Sequence, residues 1–160
     1  MTILEYALQM EKDGEIYYRE LAQQTTNKGI QTILNMLADE EVKHYNAIKK
    51  MQTTMPEMAE TTILADAKNV FAQIKESGEC CDFDNNESEL YKKAQDIEEA
   101  SQKFYLKKAN EVEPGRQKEL FLQLAEEEKK HYFLLENIIE FISRPQQWLE
   151  DAEFYHLEEF

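Results

Sequence analysis

Apolar residues recur at helical spacing along four long stretches of this chain. The first opens with a Thr2-x-x-Glu5 capping box and carries Leu4, Leu8, Glu11, Glu15, Tyr18 and Ala22 on one stripe. Gly29 marks the expected turn, and a second stripe follows through Ile30, Leu34, Leu37, Glu41, His44, Ile48 and Met51. The pattern weakens around Pro56, with a shorter helix expected at roughly Thr62 to Glu76 and a loop through Gly78 and residues 82–86. A third long helix is predicted from about Glu87 to Val112, with Tyr91, Ala94, Glu98, Gln102, Tyr105 and Ala109 inward. Pro114-Gly115 starts the fourth, whose stripe is Gln117, Phe121, Leu124, Glu128, His131, Leu135, Ile138 and Ile142, and Pro145 ends it.

The chain is an internal duplication. A shift of 87 residues lays Glu11 on Glu98, Tyr18 on Tyr105, Glu41 on Glu128 and His44 on His131. Seven of the nine positions from Leu37 to Tyr45 are identical to those from Leu124 to Tyr132. Two hairpins of one ancestry predict an all-α four-helix bundle over residues 1–144, with a long crossover at about 53–87. The tail, 145–160, is acidic yet holds Trp148, Phe154, Tyr155, Leu157 and Phe160, so it is expected to pack on the bundle or on a partner subunit.

Composition narrows the partners. With 33 acidic and 18 basic residues, the formal charge is −15, which repels nucleic acid and anionic membrane surfaces. No apolar run is long enough to span a bilayer and the N-terminus lacks a signal-peptide pattern, so a cytoplasmic location is expected. Cys80 and Cys81, the only cysteines, are adjacent and cannot build a four-thiolate site or a Cys-x-x-Cys pair. They remain either a vicinal redox pair or reduced loop residues, and His156 has no partner motif.

The chemistry lies on the inner stripes. Glu41-x-x-His44 and Glu128-x-x-His131 each present a carboxylate and an imidazole on one helix face. Glu11 and Glu98 each precede the Glu of that motif by 30 residues, which in an antiparallel hairpin sets them at the same level. Four buried carboxylates without compensation cost several kcal/mol per ion. Two divalent metals balance their charge, and six O/N donors without sulfur favour iron or manganese over structural zinc. One such motif arises by chance; two at one offset, each with its upstream Glu, are much harder to dismiss.

Around this set the readings stay open. Tyr18 and Tyr105 either hydrogen-bond a ligating carboxylate or fill the core. Gly14 and Ser101 either leave space beside the metals or allow close helix packing. Glu40 and Glu127 either support a histidine or are solvated surface, and the surface reading is the expectation.

The doubled Glu…Glu-x-x-His pattern resembles the ferritin-like superfamily, and within it the rubrerythrin branch, over roughly residues 2 to 143. The resemblance implies a ferritin-like bundle with Glu11, Glu41, His44, Glu98, Glu128 and His131 as ligands of two iron ions. His131 separates the chain from ferritins of the usual cage type. Val42 stands where bacterioferritins carry a haem-ligating Met, so no haem is expected. No four-cysteine rubredoxin segment is present, which implies a separate, rubredoxin-like electron donor. Ser101 replaces the extra Glu that many rubrerythrins use to let an iron move. The implied activity is reduction of hydrogen peroxide, or reaction with dioxygen, by a homodimeric di-iron oxidoreductase. The alternatives are a ferroxidase that stores iron and an interaction bundle without metal.

Overall fold

A computed structural model describes residues 2–54, 57–78, 83–84, 86–150 and 157. Among these it contains six helices and no strand: α1 (Ile3–Gln24), α2 (Lys28–Met51), α3 (Ile63–Ser77), α4 (Glu87–Glu111), α5 (Arg116–Ser143) and α6 (Pro145–Glu150). The four long helices pair as two hairpins, α1 with α2 and α4 with α5, and the hairpins pack into the expected ferritin-like bundle. None of the described helices is long and apolar enough to cross a membrane.

The Thr2 side chain accepts from the Glu5 N–H while Glu5 reaches back to the Thr2 N–H, so the capping box forms as expected. Two details differ from the sequence reading. The turn after α1 ends at Asn27, whose side chain caps Ile30, so Gly29 lies inside the first turn of α2. Glycine is required there by packing, because a Cβ would sit 2.4 Å from Ile74 Cδ1 of α3. On α1 the buried stripe is Ala7, Glu11, Gly14, Tyr18 and Leu21. Glu15 falls at its edge and pairs with Lys12 and Arg19, since a surface ion pair costs far less than a buried carboxylate without a partner.

The core has two apolar ends with a polar middle. At one end, α3 and α6 close over the bundle, and Phe71 lies 5.3 Å from Phe141 and 4.6 Å from Trp148, ring to ring. Pro145 ends α5 and also begins α6, a position where its missing N–H costs nothing. Trp148 and Leu157 are both fully buried against this end. Phe154, Tyr155, His156 and Phe160 lie outside the described residues, as do Cys80 and Cys81. At the other end Ala7, Ile48, Met51, Tyr105, Phe121 and Leu124 form a second apolar cluster. Between the two ends lie the glutamates and histidines.

Candidate metal centre

Each long helix contributes its polar residues at the same depth, because every one replaces an apolar residue on a stripe that must face inward. Glu11, Glu41, Glu98, Glu128, His44 and His131 are all at most 4 % exposed. They fall into two overlapping groups: Glu11, Glu41, His44 and Glu128, and Glu41, Glu98, Glu128 and His131. Within each group, one ligand atom per residue lies within 4.8 Å of all the others. Glu41 and Glu128 belong to both. The groups are related by the duplication, and the imidazoles lie nearly parallel, 5.6 Å apart.

Both histidines turn Nδ1 inward. His44 Nδ1 is 2.8 Å from Glu128 Oε1 and 3.5 Å from Glu11 Oε2. His131 Nδ1 is 3.4 Å from Glu98 Oε1 and 3.5 Å from Glu41 Oε1. Yet both Nδ1 atoms, with Glu11 Oε2, Glu98 Oε2 and Glu128 Oε1, are buried without a hydrogen-bond partner. Short separations without aligned donors and acceptors are what atoms converging on a common third point produce. Buried orphans are costly, and a cation within each of the two groups would satisfy them. The residues fit oxygen- and imidazole-binding divalent metals of the iron or manganese kind.

The tyrosines resolve in favour of the carboxylates. Tyr18 donates to Glu98 Oε1 and Tyr105 to Glu11 Oε1, each at 2.5 Å. Each therefore crosses to the other hairpin. Gly14 resolves in favour of close approach, since a Cβ there would lie 3.1 Å from Glu41 Oε2. Ser101 is buried at the equivalent point of α4.

Glu127 and Glu40 correct the sequence reading. Glu127 is 2 % exposed, and its Oε1 lies 2.9 Å from His44 Nε2. Glu40 is half-buried with Oε1 3.6 Å from His131 Nε2. Glu127 is thus within hydrogen-bond reach behind His44, where a carboxylate fixes an imidazole's tautomer and orientation, while Glu40 faces His131 from just beyond that reach. Lys43 sits between the two, 3.2 Å from Glu127 and 3.4 Å from Glu40. The signal was present in the sequence: Glu40 and Glu127 are themselves a matched pair at the 87-residue offset. Lys43 carries the same signal, being matched by Lys130, whereas Thr61 and Gln123 carry none.

Among the protein groups alone, protons take over the charge balance. Burial, and then the neighbouring glutamates, push Glu41 and Glu128 well above the usual carboxylate range. Burial also opposes the charges of Glu11 and Glu98, but His44 and His131 outweigh it and hold both below their ordinary value. The same attraction raises both histidines well above theirs, against the opposing effect of burial. Glu40 is held down at about 2: burial works against this, and His131, Thr61 and Lys43 overcome it.

The family model for rubrerythrin matches residues 2–139. No curated protein and no solved structure shows significant similarity to the chain. The matched span covers both hairpins and all of the inward glutamates and histidines, and the chain belongs to the rubrerythrin family.

Proposed function

We propose that this protein is a non-haem di-iron oxidoreductase that reduces hydrogen peroxide with electrons from a separate, rubredoxin-like donor. The observation that carries the reading is the pair of overlapping buried groups with their unsatisfied inward atoms. Two ferrous ions held there supply together the two electrons that one peroxide consumes on its way to water.

The chain's own residues do the rest. Glu41 and Glu128, common to both groups, keep the two positions together and equalise their charge. His44 and His131 offer Nδ1 to the interior while the outer carboxylates sit behind them. Tyr18 and Tyr105 pin the terminal glutamates, so these ligands are oriented before any ion arrives. The apolar clusters at both ends keep bulk water from the site. Ser101 in place of a further carboxylate favours ions that stay in position, and so a fixed cofactor over an iron conduit.

Anaerobic loading with Fe²⁺ followed by peroxide tests this. Oxidation is expected to stop near two Fe²⁺ per chain and to resume only when a reductant such as reduced rubredoxin is added. Uptake of tens of irons per chain without a donor would establish the storage reading instead. Failure to bind iron at all would leave the interaction bundle.

A further inference from the structure

The duplication makes the ligands symmetric, but the crossover breaks the symmetry just behind them. Residues 57–62 run past the outer face of the centre, where Lys43 Nζ donates to the Ala59 carbonyl at 3.1 Å. Gln123 Nε2 donates to the Met58 carbonyl at 2.8 Å and to Glu127 Oε2 at 3.4 Å. Glu127 is thereby held by Gln123 on Oε2 and by Lys43 on Oε1, and Oε1 still lies 2.9 Å from His44 Nε2. At Glu40, Lys43 pairs with Oε2 and the Thr61 hydroxyl, which has no counterpart at Glu127 among the described residues, donates to Oε1, the oxygen that faces His131. At 3.6 Å, His131 Nε2 is out of hydrogen-bond reach, and it has no other partner.

We propose that the crossover makes the two metal positions unequal, with Thr61 as the positioning residue that draws Glu40 away from His131. This rests on the di-metal reading and deepens it: an ion at the Glu11–His44 end binds tightly, and one at the Glu98–His131 end binds more weakly and exchanges first. The carboxylate behind a ligating imidazole is typically worth about 10–100-fold in metal affinity, so its longer reach to His131 gives the direction of the difference and that range bounds its size. No other contact on the described face repeats the Thr61 interaction, because the crossover passes the bundle once while the ligands occur twice.

The test is titration of the metal-stripped protein with Co²⁺ alone, followed by visible absorption and by counting ions after dialysis. Two steps are expected, the second weaker by about tenfold or more. Thr61→Val removes the competing hydroxyl without changing side-chain shape, so it should tighten the second step several-fold and leave the first unchanged. Thr61→Ser, which keeps the hydroxyl, should behave as the parent. Glu127→Gln should weaken the first step. A loosened crossover weakens binding, so tightening by Thr61→Val is a response that mere structural damage does not produce. Two ions of equal affinity, or no change in Thr61→Val, overturn the proposal and leave the di-metal reading standing. Saturation of the titration below two Co²⁺ per chain overturns both, whereas loss of the second ion alone on dialysis is the expected result.

Discussion

Tyr18 on α1 donates to Glu98 on α4 at 2.5 Å, and the mirror contact of the duplication, Tyr105 to Glu11, has the same length. Each hairpin therefore locks a glutamate belonging to the other, and the two halves of the chain are joined through these buried carboxylates as well as through the apolar ends. Burial, and then the nearby carboxylates, raise both phenols well above their ordinary value, so they remain donors throughout the accessible pH range. Tyr18→Phe removes the donor and leaves a buried charged acceptor without it, which costs about 1–3 kcal/mol. Chemical denaturation of the metal-free protein checks this, and unchanged stability would mean that Glu98 finds another donor.

Gly29 provides a test of packing away from the centre. Alanine is worth up to about 1 kcal/mol over glycine inside a helix. At this position its Cβ meets Ile74 Cδ1 at 2.4 Å and Cγ1 at 2.5 Å, and Ile74 is a buried, branched side chain that must shift to admit it. Overpacking costs about 1–3 kcal/mol, so Gly29→Ala should be destabilising on balance. In an Ile74→Ala background the same substitution should become stabilising. Thermal melts of the four proteins in this double-mutant cycle measure the coupling, and simple additivity would place the cause elsewhere.

Much of this architecture was legible beforehand because a duplicated helical pattern leaves few alternatives. The inward stripes of α2 and α5 follow from apolar spacing alone, and the glutamates and histidines interrupt them at one shared depth. The crossover helix was visible for the same reason. What was hidden depends on contacts between segments distant in sequence. Glu127 is marked in the sequence only by its match to Glu40, and what it does emerges when α5 is packed against α2, where it meets His44. Gly29 reads as a turn until α3 lies across it. Thr61 sits in a segment without periodicity, and its role exists only because the crossover runs past Glu40.

The response to pH should differ in sign between the metal-free and metal-loaded protein. Glu41, Glu128, His44 and His131 all have raised folded values. Each therefore contributes stability that is fully present below its unfolded value, 4.5 for glutamate and 6.5 for histidine, and is lost as pH rises through the folded one. Glu40, held at about 2, works the other way: its contribution is full above 4.5 and is lost as pH falls from there toward 2. Metal-free protein should thus melt at lower temperature as pH rises above about 6.5. Metal binding needs the same groups deprotonated, so its stabilisation grows over that range. Calorimetry with and without chelator should show the gap between the two melting temperatures widening with pH. A constant gap would count against protons and metal competing for these residues.

The shared glutamates should be distinguishable from the terminal ones by counting ions. Glu11 belongs only to the group with His44, and Glu98 only to the group with His131, whereas Glu41 and Glu128 belong to both. Glu11→Gln or Glu98→Gln removes one ligand from one position and should leave about one ion per chain. Glu41→Gln or Glu128→Gln takes a ligand from both positions and the negative charge that holds the pair together, so occupancy should fall well below one. The amide keeps the shape of the side chain, which limits damage to packing. Moreover, Glu41 and Glu128 are the carboxylates that burial and their acidic neighbours drive toward the neutral form. A neutral isostere should therefore leave the metal-free protein at least as stable as the parent, and loss of ions cannot then be assigned to unfolding. Elemental analysis after iron loading gives the count, and a melt in chelator gives the control. Equal losses from Glu11→Gln and Glu41→Gln would show that the two positions do not share the ligands their geometry assigns to both.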